Sequence, residues 1–112
     1  MKIDLRPEWK ENEGANALES LVRACFRHQG GSTMPLIDFL CGLWNGYDYR
    51  PDMQLLCGRI ETEHFRQVIE VMLLIRTAQK EAHEFFIDGG RVFEALSGYA
   101  RRYGPVEEVK NG

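Results

Sequence analysis

Hydrophobic residues recur at intervals of three and four in four long segments of this 112-residue chain. Such spacing predicts amphipathic α-helices, because residues three and four apart lie on one face of a helix. Glycine, proline and asparagine between the segments predict where the helices end. The predicted helices are residues 15–28, a segment from a Ser32 or Thr33 cap to Trp44, residues 63–82 and residues 91–103, with a short helical turn at residues 53–57.

These elements predict an all-α fold, an irregular bundle of four main helices plus one short helix. Neighbouring helices are expected to be antiparallel, because the connections between them are short. Residues 1–13 are mostly polar and contain Pro7, which predicts an extended N-terminal arm with Trp9 against the domain. Residues 14–104 then form a single helical domain, and residues 105–112 a flexible tail.

The second helix is predicted to be the central one. From Leu36 to Trp44 it is apolar on nearly all sides, with only Asp38 and Gly42 interrupting. A helix of this kind is stable only when it is surrounded by other elements. Asn45 and Gly46 are expected to end it.

The first and third long helices each show a predicted cap and a predicted buried stripe. Asn16 and Glu19 have capping-box spacing at the start of the first helix, and Thr62 is the expected cap of the third. The residues of the third helix that are predicted to face the core are Phe65, Val68, Ile69, Met72, Leu73 and either Ile75 or Arg76.

Composition and charge narrow the classes of partner. The formal net charge is −3, which argues against direct nucleic-acid binding, because phosphate recognition needs a basic surface. Ten arginines against four lysines fit either a genome bias or an interface. The start of the chain lacks the apolar run of a signal peptide and no stretch is long enough to span a bilayer, so we expect a cytoplasmic protein without membrane contact.

No pattern of residues predicts a metal, a cofactor or a catalytic site. Cys25 and His28 have the spacing of half a zinc site, but no second pair completes it. An enzyme remains an alternative only if the fold forms a pocket that joins at least two of four residues. Those four are Cys25, Cys57, His64 and His83.

The loop after the second helix carries chemistry that packing does not require. Tyr47, Tyr49 and Arg50 follow Trp44 within a few residues, and tyrosine and arginine contribute much of the binding energy at protein interfaces. These three residues are therefore the candidate partner-binding site. The alternative is structural: Trp44 belongs to the core and the tyrosines lie flat over the helix ends.

Four short runs give the chain a recognisable order. They are Asp38-Phe39-Leu40, Leu43-Trp44-Asn45, Leu55-Leu56-Cys57-Gly58 and Val92-Phe93-Glu94-Ala95-Leu96. In this order they resemble an uncharacterised family of short helical bacterial proteins carried on phages and plasmids, over roughly Leu36 to Pro105. The family often has a doubled tryptophan where this chain has Trp44 alone. The resemblance implies a small helical domain and provides no catalytic residues.

Accessory proteins of mobile elements often bind and modulate a host protein. By this analogy of context, the first hypothesis is a non-enzymatic protein-interaction domain that binds a host protein or complex. Its most specific form is an inhibitor of a host defence complex, such as an anti-CRISPR protein. The second hypothesis is a homo-oligomeric structural or accessory protein, for example a homodimer that buries the same surface.

Overall fold

The computed structural model describes residues 1–27 and 33–103, with side chains as far as Gly98. Within these residues the fold is all-α, as the sequence predicts. The helices in chain order are α1 (Glu13–Arg27), α2 (Met34–Trp44), α3 (Met53–Gly58), α4 (Thr62–Ala78) and α5 (Gly89–Tyr103), with 3₁₀ helices at Pro7–Trp9 and Ala82–Phe85.

The prediction that the second helix is central is confirmed. α2 packs against α1, α3, α5 and the second 3₁₀ helix. It buries Leu36, Ile37 and Leu40 almost completely. Trp44 is half-buried and its ring lies 6.1 Å from that of Phe93 in α5, so it belongs to the core as expected.

α1 packs most extensively against α4, and one glycine determines how closely the two helices approach. Gly14 is buried, and a Cβ atom at this position would lie only 2.8 Å from the Cβ atom of Leu74. The backbone of α1 can therefore approach α4 more closely than a larger residue would allow. Val68, Val71 and Leu74 are the buried residues of α4.

The N-terminal arm is fixed to the domain by backbone hydrogen bonds. Leu5 forms an antiparallel bridge with Phe86. The amide of Arg6 donates to the carbonyl of Phe85 at 2.8 Å, and the amide of Ile87 donates to the carbonyl of Asp4 at 2.9 Å. These bonds hold the first six residues of the chain against the segment that follows the second 3₁₀ helix.

Side chains strengthen the attachment of the arm. Trp9 meets Phe85 edge to face, with ring centroids 4.7 Å apart, which is the packing expected of Trp9. The guanidinium group of Arg23 in α1 donates to the carbonyl of Ile3 and to the carboxylate of Asp4 at 3.1 Å. Arg23 also donates to Glu19 at 2.9 Å, four residues away on the same helix.

The predicted cap of α1 is wrong by one helical turn. The helix begins at Glu13, and the side-chain oxygen of Asn12 accepts a hydrogen bond from the amide of Ala15 at 2.9 Å. Asn16 instead lies in the first turn and donates its side-chain amide to the carbonyls of Lys10 and Asn12. Both asparagines suit a cap, and the earlier one occupies the position.

α4 differs from the prediction at both ends and in the face that it buries. Glu61 precedes the helix as its N-cap residue, and Thr62 is its first residue. The helix ends at Ala78 rather than residue 82, because Gln79 adopts a left-handed conformation with φ of 58°. Most importantly, Ile69, Met72 and Leu73 do not enter the core, although they were predicted to do so.

Some predictions concern residues outside the part of the chain that the structure describes. They are His28 as half of a zinc site, Ser32 as an alternative cap and the tail at residues 105–112.

Candidate protein-binding surface

α4 presents a row of large apolar side chains to solvent. Ile69 is 45% exposed, Met72 is 50% exposed and Leu73 is 56% exposed. We call these three residues the outer stripe of α4. At about 100° per residue, the centre of this stripe lies about 150° around the helix from the centre of Val68, Val71 and Leu74, and Met72 is its edge nearest the buried face. α4 is therefore apolar on two faces, and α1 covers only one of them.

An apolar groove lies next to the outer stripe, between α2, α3, α4 and the loop that follows α2. Its volume is about 340 Å³, roughly twice the 150 Å³ cavity that admits a benzene molecule. Its walls are formed by Phe39, Gly42, Leu43, Gly46, Tyr49, Arg50, Pro51, Met53, Leu56 and Met72. Met72 belongs to both features, so the groove and the outer stripe form one continuous apolar surface.

The loop that closes one wall of the groove is held in shape by Asn45, the C-cap residue of α2. The side-chain oxygen of Asn45 accepts hydrogen bonds from the amides of Tyr47 at 3.2 Å and Asp48 at 3.3 Å. Its side-chain amide donates to the carboxylate of Asp48 at 3.0 Å. Asparagine commonly organises a turn by such bonds to the residues that follow it.

The loop lies close against α2. A Cβ atom at Gly42 would lie 3.1 Å from the carbonyl oxygen of Tyr49, which is tighter than most contacts of this kind. Gly42, which interrupts the apolar sequence of α2, therefore leaves room for the loop.

The structure separates the three predicted site residues. Tyr47 is 91% exposed, so its ring covers no helix end. Arg50 is also exposed and lines the groove, whereas Tyr49 is half-buried and packs against the core while it forms part of the groove wall. The structural alternative thus describes Tyr49 and does not describe Tyr47. A binding role for all three stays a prediction.

The carboxylates of Asp38 and Asp52 influence each other across α2 and the start of α3. The pKa of Asp38 in α2 is raised from its ordinary value, first by burial and second by the nearby carboxylate of Asp52. Asp52 caps α3 by accepting a hydrogen bond from the amide of Leu55 at 3.1 Å, so its position is fixed. Neither carboxylate lines the groove itself, whose one charged lining residue is Arg50.

Sequence reasoning missed the residues that make the outer stripe and most of the groove. Ile69, Met72 and Leu73 were assigned to the core because they recur at helical spacing. A second signal was present in the same helix, since Val68, Val71 and Leu74 also recur at that spacing. Two apolar stripes on one helix indicate that one of them needs a cover from elsewhere.

The residues required by the enzyme alternative do not line this groove. Cys25 is buried in the core, Cys57 is exposed on α3, and His64 and His83 are half-buried. Within residues 1–27 and 33–98, no three His, Cys, Asp or Glu side chains come together as metal ligands would. The helices that the structure describes include none with the length and apolar character needed to cross a membrane.

Comparison with known proteins places the chain in a family. The model of a family of unknown function, DUF7673, matches residues 15–101 of the 112. The chain belongs to the DUF7673 family. The match begins at residue 15 and not near Leu36, so it includes all but the first two residues of α1 as well as the runs that suggested an uncharacterised family. Neither the curated proteins nor the solved structures include a match to this chain.

The whole candidate surface lies inside the region that defines DUF7673. Residues 15–101 include the loop with Tyr47, the groove and the outer stripe of α4, while the whole N-terminal arm, residues 1–13, lies outside.

Proposed function

We propose that this DUF7673 protein is a non-enzymatic protein-interaction domain that binds another protein through the apolar groove and the exposed loop beside it. In this proposal a hydrophobic side chain of the partner fills the groove, and Tyr47 and Arg50 contact the partner around its rim. Tyr49 acts from the groove wall.

The exposed apolar surface is the observation that supports this proposal. Small soluble domains seldom expose contiguous apolar surface without a binding role. Here Met53 of α3 and Met72 of α4 line a groove whose wall is otherwise mostly apolar. Methionine side chains adapt to partners of different shape, which suits a binding groove.

The shape of the loop supports the same proposal. Tyr47 projects from a turn in which the side-chain oxygen of Asn45 accepts hydrogen bonds from the amides of Tyr47 and Asp48. A tyrosine presented in this way loses little conformational entropy when it binds, because the backbone beneath it is already ordered.

The more specific form of the proposal concerns the partner and its biological setting. We propose a cytoplasmic accessory protein of phage or plasmid origin whose partner is a host protein, with a defence complex as the specific candidate. An anti-CRISPR protein would be one example. This form rests on the analogy of context described above and on no single residue.

Affinity capture with matched variants tests the binding surface. The tagged chain is used to capture proteins from a bacterial lysate, and the recovered partner is measured by quantitative mass spectrometry. We expect Tyr47→Ala combined with Arg50→Ala to reduce capture at least about tenfold, as loss of interface hot spots does. Ile87→Ala is the matched control, because Ile87 is 48% exposed but lies next to the N-terminal arm, away from the groove.

Equal capture by wild type and by the Tyr47→Ala, Arg50→Ala variant would refute the assignment of these residues. Loss of capture by Ile87→Ala as well would show that the assay reports general surface hydrophobicity instead of the groove.

A native cysteine gives a direct binding assay once a partner is purified. Cys57 is exposed on α3, close to the groove residues Met53 and Leu56. Cys41 and Cys25 are both buried. Burial, with a smaller effect of Cys41, raises the pKa of Cys25 to about 12. Neither thiol should therefore react with a maleimide dye. An environment-sensitive dye on Cys57 should change its emission as the partner is added.

A further inference from the structure

We propose that the outer stripe of α4 binds a second copy of this chain, with the two α4 helices packed antiparallel about a two-fold axis near Ile69. This dimer goes beyond the proposed function, because it needs no other protein and uses neither Tyr47 nor Arg50. A partner in the groove and a second copy on α4 would share only Met72.

The exposed face of α4 continues beyond the outer stripe in both directions. At about 100° per residue, Phe65, Ile69, Met72 and Arg76 fall within an arc of about 60° on the helix surface. Phe65 is half-buried and Arg76 is exposed. Spacings of four, three and four residues produce the straight seam by which two helices pack together, and here Phe65, Ile69 and Met72 are its apolar positions.

This face is complementary to itself when one copy is reversed. In a two-fold interface, residues equally far from the axis on opposite sides come together. With Ile69 at the axis, Phe65 lies about 6 Å away along the helix and Met72 about 4.5 Å away on the other side. Phe65 of each copy is therefore brought opposite Met72 of the other, a favourable pairing of sulfur with an aromatic ring.

The charges at the two ends of the same face fit this arrangement. Glu61 lies about 12 Å from Ile69 along the helix, and Arg76 about 10 Å in the other direction. Both residues are exposed. An antiparallel pair brings Glu61 of each copy opposite Arg76 of the other, twice per dimer. A parallel pair would instead place glutamate beside glutamate and arginine beside arginine, which is unfavourable.

The orientation of the helix dipoles gives the same preference. The N-terminal end of α4 has Glu61 and Glu63, and its last turn has Arg76. In an antiparallel pair the positive end of each helix dipole lies next to the negative end of the other. A second copy is thus a chemically specific occupant for this face.

A single pair of helices buries less than the roughly 800 Å² per partner of a standard protein interface. We therefore expect a reversible dimer with a micromolar Kd and not a permanent one.

Sedimentation velocity over protein concentrations from about 1 to about 500 µM tests the dimer. Wild type should shift from monomer to dimer as the concentration rises. Ile69→Glu should remain monomeric at every concentration, since it places two carboxylates at the axis. Ile87→Glu is the matched control, with 48% exposure against 45% for Ile69, and should dimerise as wild type does. Far-UV circular dichroism checks that each variant is folded.

Charge exchange tests the orientation of the two copies. Glu61→Arg alone and Arg76→Glu alone should each weaken the dimer at least about tenfold, because each creates two like-charge pairs. The double variant in one chain should recover most of the affinity, which only an antiparallel pair predicts.

Three results would overturn the proposal: a monomeric wild type throughout the range, an unchanged dimer in Ile69→Glu, or a charge-exchanged double variant weaker than either single variant. The proposed function is judged separately, because the Tyr47→Ala, Arg50→Ala variant should dimerise normally and Ile69→Glu should still capture the partner protein.

Discussion

The side of the molecule that holds the N-terminal arm and the side that holds the groove both contain large apolar side chains, and the chain covers them differently. On the arm side, Trp9 packs on Phe85, and Phe86 packs on Phe93 with ring centroids 6.0 Å apart. Phe85, Phe86 and Phe93 have no exposed surface. On the groove side, Met53, Met72 and the rest of the outer stripe of α4 remain in contact with solvent.

The difference comes from one covering segment. The first six residues of the chain lie over the second 3₁₀ helix and are fixed there by the Leu5–Phe86 bridge and by Arg23. No described segment does the same for the groove or for the outer stripe. Each Å² of apolar surface left in water costs about 25 cal/mol of free energy relative to burying it. The proposed function and the proposed dimer both assign this exposed apolar surface to another molecule.

A substitution at Gly89 tests the packing of the arm side and is expected to have the largest effect on stability. A Cβ atom there would lie 1.7 Å from the carbonyl oxygen of His83, which belongs to the backbone of the second 3₁₀ helix and cannot simply rotate away. Gly89→Ala should therefore displace that helix from beneath the arm and reduce the free energy of unfolding by about 3 kcal/mol or more. Urea denaturation monitored by circular dichroism measures the change.

The adjacent glycine is the control for this prediction. No atom lies within 4 Å of a Cβ atom built at Gly90, so Gly90→Ala should be neutral or stabilise α5 by about 0.5 kcal/mol. Equal stability of the two variants would mean that the close approach of Gly89 to His83 does not hold the arm side together.

Asp38 gives a smaller effect on the groove side, and its sign depends on pH. Because the pKa of Asp38 is raised in the folded protein, the folded state holds this proton more tightly than the unfolded state does. The stabilisation that comes from this proton is therefore fully present below the unfolded-state pKa of about 3.9. It is lost as the pH rises through the higher pKa of the folded state. At neutral pH the ionised carboxylate reduces stability.

Asp38→Asn should therefore raise the melting temperature at pH 7 by a small amount, and the gain should decrease towards pH 3. Thermal denaturation across this pH range measures it, with Glu94→Gln on the exposed surface of α5 as the control. If Asp38→Asn changes the melting temperature by the same amount at pH 7 and at pH 3, ionisation of Asp38 is not the cause of the difference.

The sequence predicted the parts of the fold that local signals determine. The apolar character of α2 identified the central helix, and Asn45 marked its end. Each of these signals acts within a few residues, so it can be read without the rest of the fold.

The sequence could not predict features that depend on contacts distant in the chain. Which apolar face of α4 is buried depends on Gly14, which lets α1 approach Leu74. The position of the N-terminal arm depends on one bridge between Leu5 and Phe86, and a single bridge leaves no periodic pattern in the sequence. The exposure of Tyr47 and the partial burial of Tyr49 depend on how the loop passes over Gly42. For the same reasons the candidate surface was predicted only at its loop.

Two adjacent leucines of α4 test most directly whether the helix packs by one apolar face and presents the other. Leu74 is 4% exposed in the contact with α1, whereas Leu73 lies in the outer stripe. We would measure the free energy of unfolding of Leu74→Ala and Leu73→Ala by urea denaturation at about 0.1 µM protein, a concentration at which a dimer with a micromolar Kd is largely dissociated. Leu74→Ala should lose about 3 kcal/mol and Leu73→Ala less than about 0.5 kcal/mol. Similar losses for both would contradict the account, because they would place the outer stripe in the core of the monomer.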